Sequence, residues 1–172
     1  MKRFLPLISC TVFLIAVGVL SVMHPEKKLI YNYTDSLPHG FYMIENELVR
    51  KGSLIAFHPE KKIQRMMTER GYLREGGYLM KYVAAEPGDS ICTRQGKLQI
   101  NGEDFGRILE TDRKGRRLPA YHYNGRLAEG YLVAIKGKED SFDSRYFGPI
   151  SKESVIGIAR PLWLFTGTNH TQ

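Results

Sequence analysis

The chain has 172 residues, of which 42% are apolar and 25% are charged, so it can fold as one domain with its own core. Its two cysteines, Cys10 and Cys92, exclude a disulfide-rich scaffold, and its five histidines have none of the spacings of a zinc site. The net charge of +7 is a modest basic excess.

The first predicted element is an uncharged, mostly apolar segment at residues 4–23, preceded by Lys2 and Arg3. About 20 apolar residues in a helix span the ~30 Å hydrocarbon layer of a bilayer. A cleaved signal peptide is the alternative, but its apolar core has only about 7–15 residues and ends at a small-x-small site. Residues 21–26 offer only a poor site of that kind, so a retained anchor is favoured.

The positive flank of this segment places Lys2 and Arg3 in the cytoplasm and the rest of the chain outside. The sequence therefore predicts a single-pass protein of a bacterial cytoplasmic membrane, with an extracytoplasmic domain. Residues 1–23 form the cytoplasmic tip and anchor, residues 24–165 form the domain, and residues 166–172 form a disordered tail.

Short predicted elements follow one another in the extracytoplasmic part. They are a polar connector at 24–35, a buried strand at 54–57, a helix at 60–74, a strand at 78–85, a hairpin of 90–93 with 97–100, a buried strand at 131–135 and a last strand at 155–160. Many short strands and one short helix predict a mostly β domain with a twisted or barrel-like sheet.

A stiffened loop at residues 34–42 is the first candidate for chemistry. Pro38 fixes its own φ and extends Leu37, and Gly40 permits a sharp or closely packed backbone. Ser36 is therefore held on this loop as a candidate nucleophile. A plain turn with a capping serine is the alternative, and the segment taken alone favours it.

Lys81 is the second candidate, because Leu79 and Val83 flank it on one face of the predicted strand. Desolvation disfavours the ammonium and lowers the pKa of a lysine. At a pKa of ~10.4 about one lysine in 2,500 is neutral at pH 7, whereas at about 8 one in ten is neutral and can act as a general base. The alternative is an ammonium that reaches water from a strand edge.

The third candidate is the segment 140–149, which is too polar for a core and too aromatic for a solvated linker. A structural loop pinned by an Asp143–Arg145 pair is its alternative. A serine nucleophile needs a base, and the sequence contains no promising His-Asp partnership and no G-x-S-x-G elbow. A Ser-Lys dyad accounts for all three segments together: a nucleophile, a base and a polar loop that orients the base.

Four segments in this order make the chain resemble the signal peptidase I family of membrane-anchored Ser-Lys serine proteases, and within it the TraF-type conjugative-transfer peptidases. They are residues 36–42 (SLPHGFY), 81–89 (KYVAAEPGD), 141–149 (SFDSRYFGP) and 157–161 (GIARP). The resemblance covers roughly residues 31–163 and the single anchor. It implies an all-β core with a smaller inserted region, for which residues 93–129 are the candidate.

The resemblance also implies the roles of individual residues. Ser36 is the nucleophile, Lys81 the base and Ser141 the serine that orients the lysine. Asp143 and Arg145 match a structural ion pair. The Thr34 hydroxyl and the backbone N–H of Ser36 match the two donors of the oxyanion hole. No metal or organic cofactor is implied.

The implied reaction is cleavage of an exported precursor after small residues, with a conjugative pilin precursor as the substrate in TraF-like enzymes. Some members pass the acyl group to the amino terminus of the substrate and so cyclise it, and the sequence does not choose between the two outcomes. Leu37, Tyr82, Glu86 and the short stretch 137–140 depart from the housekeeping leader peptidases. The implied partners are this precursor and the lipid bilayer.

Two other functions compete with this one. A housekeeping-type signal peptidase would process many secreted proteins. A non-catalytic membrane component of a conjugation or secretion apparatus would use the basic stretch 113–117 to bind DNA or anionic lipid. Such a stretch in a Gly-rich loop is more often a solvated hairpin, and no nucleic-acid-binding module is evident, so no nucleic-acid partner is expected.

Overall fold

The computed structural model describes residues 5–23 and 28–165, and within them the strands outnumber the helices. The helices are α1 (Leu5–Met23), α2 (Lys61–Glu69) and α3 (Ser144–Phe147). The strands are β1 (Lys28–Asn32), β2 (Gly40–Glu45), β3 (Leu54–Phe57), β4 (Leu79–Ala85), β5 (Ser90–Arg94), β6 (Lys97–Ile100), β7 (Glu103–Arg107), β8 (Asn124–Arg126), β9 (Leu132–Val133) and β10 (Val155–Leu164). The mostly β fold is thus confirmed.

The N-terminal helix α1 coincides with the segment that the sequence predicts as an anchor. Cys10 lies in this helix and is exposed. Among the residues that the structure describes, no helix is long and apolar enough to cross a membrane. The transmembrane helix is therefore not confirmed.

Six strands form an antiparallel sheet in the order β1-β2-β10-β3-β4-β9. The central strands of this sheet are buried: all four residues of β3 are buried, and so are six of the seven residues of β4, Lys81 among them. Asn32 at the end of β1 pairs with Gly40 at the start of β2. The loop 33–39, which carries Ser36, therefore leaves from one end of a β-hairpin and has both of its ends held by the sheet.

Gly40 is required where this loop re-enters the sheet. Its φ is +154°, and a Cβ at this position would lie 2.2 Å from the backbone oxygen of Trp163. No side chain fits there without a backbone shift, since real Cβ atoms do not approach carbonyl oxygens so closely. The close backbone packing that the sequence predicted at Gly40 is confirmed.

The other four strands form a second antiparallel sheet in the order β7-β6-β5-β8. Its core contains Ile91, Leu98, Ile100 and Phe105. The predicted hairpin of β5 with β6 is confirmed, and so is the turn at Asn101, whose φ is 52°. Its strands come from the range Ser90–Arg126, which overlaps the segment 93–129 predicted as a smaller region.

Several predicted boundaries were wrong. The segment 24–35 is not only a connector, because β1 forms from it. Most β1 side chains are exposed, so the strand lacks the alternation of apolar and polar residues by which a half-buried strand is predicted. Strand β10 continues to Leu164 past Pro161, which has no N–H to donate, and the register shifts between Pro161 and Trp163. The helix predicted at 60–74 ends at Glu69. The tail from residue 166 lies outside the described residues.

Candidate active site

The loop 33–39, called here the Ser36 loop, is organised by the side chain of Asn32. This side chain is 4% exposed. Its Nδ2 donates to the carbonyl oxygens of Thr34 (3.1 Å), Leu37 (3.0 Å) and Pro38 (3.1 Å). Its Oδ1 accepts from the backbone N–H of Thr34 (3.2 Å) and from the Thr34 hydroxyl (2.8 Å). The loop therefore closes around Asn32, with Ser36 half-buried at its tip.

Two further contacts hold the same loop against the six-stranded sheet. Leu37 is buried in an apolar cluster with Tyr42, Leu54 and Met80. The hydroxyl of Tyr42 donates to the carbonyl oxygen of Pro38 over 2.9 Å. Ser36 is thus fixed from both sides of its position in the chain.

Lys81 lies in the middle of β4, where it pairs with Ile55 of β3. Its side chain is 2% exposed. Strand β4 is hydrogen-bonded on both sides, to β3 and to β9, so it is not an edge strand. The alternative of an ammonium that reaches water from a strand edge is therefore wrong.

Burial lowers the pKa of Lys81 from 10.5 to about 8. The cations Lys138 and Arg145 contribute to this lowering of the pKa, whereas Asp143 and Asp140 oppose it. A lysine with this pKa is neutral about one time in ten at pH 7, so its amine can accept a proton.

A cavity of about 370 Å³ brings the candidate residues together. Thr34, Ser36, Lys81 and Ser141 all line it, although they come from the Ser36 loop, from β4 and from the loop before α3. Ser141 is 2% exposed, and its Oγ has no hydrogen-bond partner among the described residues. A buried hydroxyl without a partner is rare, and this one faces the same cavity as the amine of Lys81.

A fully buried ion pair shapes the loop that carries Ser141. Arg145 contacts Asp143 through Nε (2.9 Å) and Nη2 (2.8 Å), and both side chains are 0% exposed. The guanidinium also donates to the carbonyl oxygens of Lys138 (2.7 Å) and Ser141 (3.1 Å). Asp143 in turn accepts from the backbone N–H of Arg145 and caps α3, a helix that the sequence did not predict.

Lys138 and Asn32 were not singled out from the sequence. Lys138 bridges two loops, because its Nζ donates to the carbonyl oxygen of Asp35, the residue before Ser36. No local signal could have revealed this contact, since the two residues are far apart in the chain. Asn32 was interpreted as part of the polar connector, although the sequence shows that it precedes Thr34 by two residues and Ser36 by four.

The basic stretch 113–117 contributes to the rim of the same cavity. Arg113, Lys114 and Arg116 are among the lining residues, with Arg70 from the end of α2. Arg116 pairs with Asp112 over 2.7 Å. The stretch is therefore a turn beside the candidate site, and two of its cations are paired, Arg113 with Asp140 and Arg116 with Asp112.

A family model described as signal peptidase, peptidase S26, matches residues 1–164. The chain belongs to this family. Plasmid transfer protein TraF of Escherichia coli is 34% identical to this chain over 143 residues, which cover 76% of this chain and 80% of that protein. Conjugal transfer protein TraF of Agrobacterium fabrum is 32% identical over 145 residues, or 78% and 81% of the two chains. Signal peptidase I of Leptolyngbya laminosa is 25% identical over 112 residues, or 64% and 50%.

Proposed function

We propose that this signal peptidase family member is a serine endopeptidase with a Ser36-Lys81 dyad, and that it cleaves a conjugative pilin precursor near its signal sequence. The observation that carries the proposal is the single cavity lined by Ser36, Lys81 and Ser141, in which burial brings the pKa of Lys81 to about 8. The likeness to two proteins named for plasmid and conjugal transfer supports the choice of substrate.

In the proposed mechanism, the neutral amine of Lys81 takes the proton of the Ser36 hydroxyl while Oγ bonds to the scissile carbonyl carbon. The backbone N–H of Ser36 and the Thr34 hydroxyl stabilise the resulting oxyanion. The C–N bond then breaks, and the Lys81 ammonium returns its proton to the leaving amine. Ser141 supplies a buried, unpaired hydroxyl to the cavity that Lys81 also lines, so that it can accept from the Lys81 ammonium once this forms, and the Asp143–Arg145 pair holds the loop of Ser141.

The acyl-enzyme has two possible acceptors. Attack by water gives a linear product, and attack by the amino terminus of the substrate gives a cyclic one. Both acceptors lose a proton to Lys81, so the same dyad serves either reaction. A cyclic product is lighter than the linear one by one water.

The test is the intact mass of a pilin precursor co-expressed with the wild-type chain, with Ser36→Ala or with Lys81→Ala. We expect shortening with the wild type and none with either variant. Lys81→Arg is expected to be inactive as well, because arginine does not lose its proton in proteins. Ser90→Ala and Lys62→Ala are the matched controls, since both side chains are exposed and lie on β5 and α2.

A shortened pilin precursor in the strain with Ser36→Ala would refute the dyad. Equal precursor masses in all strains would favour the non-catalytic component of a transfer apparatus. Cleavage of unrelated secreted precursors by the wild type would favour the housekeeping-type peptidase.

The proposal also includes a location: residues 4–23 anchor the chain in a bacterial cytoplasmic membrane, and the catalytic domain faces outward. Fusions of alkaline phosphatase and of a cytoplasm-dependent fluorescent protein after Gln172 test this topology. We expect only the phosphatase fusion to be active, because that enzyme requires an oxidising compartment for its disulfides. Fluorescence without phosphatase activity would refute the topology.

A further inference from the structure

Asn32 uses all of its hydrogen-bonding capacity on the Ser36 loop. Its two N–H hydrogens serve three carbonyl oxygens at 3.0–3.1 Å, and its carbonyl oxygen accepts two bonds from Thr34. The contacts fall on both sides of Ser36 in the chain, at Thr34 before it and at Leu37 and Pro38 after it. A surface asparagine that only solvates a turn has no such set of partners.

The location of Asn32 makes it a rigid support. It is the last residue of β1 and is paired with Gly40, so its backbone is fixed by the β-ladder. Its side chain is 4% exposed, so water does not compete for its partners. A buried amide with every donor and acceptor occupied has one favourable orientation.

Asn32 also holds Thr34, the candidate donor of the oxyanion hole, through two hydrogen bonds. The hydroxyl of Thr34 lies 2.8 Å from Asn32 Oδ1, and the N–H of Thr34 lies 3.2 Å from the same atom. A hydroxyl has one hydrogen to donate, and here Asn32 accepts it, so this bond holds the Thr34 side chain in place and must break before the hydroxyl donates to a substrate oxygen.

We propose that Asn32 is the positioning residue of this site: its side-chain amide holds the Ser36 loop so that the Ser36 hydroxyl and N–H and the Thr34 hydroxyl are aligned for acyl transfer. The proposal rests on the proposed peptidase function. Asn32 acts through Ser36 and Thr34 and touches no reacting atom. A displacement of a reacting group by about 1 Å costs about 100-fold in rate, so the loss of Asn32 has a large effect without any change in the dyad.

The first test measures the loop itself and requires no substrate. Hydrogen–deuterium exchange of the full-length chain is followed in peptides that cover residues 33–38, in wild type, Asn32→Ala and Asn32→Asp. The aspartate variant keeps the shape and the acceptors of the side chain and loses its two donors. We expect about tenfold faster exchange of the loop amides in both variants, with the exchange of β3 and β4 unchanged. Unchanged loop exchange would overturn the proposal regardless of activity.

The second test separates positioning from stability. Precursor cleavage by the same variants is measured per folded molecule, with Asn124→Ala and Asn124→Asp as controls, because Asn124 is exposed on β8. We expect kcat to fall about 100-fold in both Asn32 variants, with KM changed by less than about threefold and the controls at wild-type rates. A loss confined to the amount of folded protein would indicate a structural role only and would overturn the proposal.

A double-mutant cycle with Thr34→Val tests the route of the effect. If Asn32 acts through Thr34, the loss in kcat of the double variant is smaller than the product of the two single losses. A loss equal to that product would show that Asn32 does not act through Thr34.

The Ser36→Ala variant distinguishes a failure of the positioning role of Asn32 from a failure of the peptidase function. Wild-type kcat in Asn32→Ala beside an inactive Ser36→Ala would refute the positioning role and leave the peptidase standing. No cleavage by the wild type would refute the peptidase function and, with it, the catalytic part of this inference. The exchange experiment alone would then decide whether Asn32 holds the loop.

Discussion

Replacing Lys81 by methionine is expected to stabilise the fold at neutral pH while it abolishes catalysis. Burial lowers the pKa of Lys81 from 10.5 to about 8, so the fold disfavours the ammonium that an unfolded chain carries freely. The difference between the two pKa values corresponds to about 3 kcal/mol. Methionine has a similar length and no charge to desolvate, so Lys81→Met removes this cost.

The sign of this effect follows from proton binding. Between pH 8 and pH 10.5 the unfolded chain binds more protons at Lys81 than the folded chain, so the stability of the wild type rises with pH in this range. Below pH 8 both states bind the proton and the full cost of about 3 kcal/mol is present; above pH 10.5 it vanishes. The advantage of Lys81→Met is therefore largest at pH 7 and shrinks as the pH rises.

Urea unfolding of wild type and Lys81→Met at pH 7, 9 and 10.5 measures this advantage. Lys62→Met on the exposed surface of α2 is the matched control for the same substitution outside the core. Any difference in packing between methionine and lysine shifts the free energy of unfolding equally at every pH. An advantage of Lys81→Met that stays constant or grows with pH would refute the reasoning that Lys81 is desolvated in the folded protein.

Four further outcomes are expected. The cleavage rate should rise about tenfold per pH unit up to a midpoint near pH 8, because only neutral Lys81 is a base; a rate independent of pH between 6 and 9 would contradict this. Lys138→Gln should move that midpoint to higher pH, since it removes a cation that lowers the pKa of Lys81, and a midpoint that stays in place would exclude the effect. Thr34→Val should lower kcat about 100-fold or more while Thr34→Ser retains most activity, and wild-type turnover in the valine variant would remove Thr34 from the oxyanion hole. Arg145→Met should cost about 3–5 kcal/mol in urea unfolding, because it leaves a buried carboxylate unpaired, and a loss below 1 kcal/mol would contradict that role.

Local signals in the sequence were sufficient for much of the fold. The buried strand β3, the hairpin of β5 with β6 and the turn at Asn101 follow from short apolar runs and turn residues, whose physics acts within a few residues of chain. The candidates Ser36 and Lys81 were singled out by a loop that Pro38 and Gly40 stiffen and by a lysine between apolar neighbours, and Ser141 lies in a segment that suits neither a core nor a solvated linker. Their roles came from the resemblance to the signal peptidase I family.

Elements without a local pattern could not be predicted in the same way. Strand β1 has exposed side chains and lies at the edge of the sheet, so only its pairing with β2 defines it. Helix α3 has four residues, too few for a helical period, and it forms where the Asp143–Arg145 pair caps it.

The sequence by itself determined which side chains are available for chemistry and the strands and turns that have a local pattern, because these depend on residue type and on neighbours along the chain. Tertiary structure alone decided that Lys81 lies on an interior strand, that Ser141 is buried beside the same cavity, and that Asn32 and Lys138 hold the Ser36 loop. Desolvation depends on what packs around a charge in three dimensions, and the contact of Lys138 with Asp35 joins residues more than a hundred positions apart. The apolar neighbours Leu79 and Val83 only made the burial of Lys81 one of two alternatives, and the contact of Lys138 with Asp35 left no local signal at all.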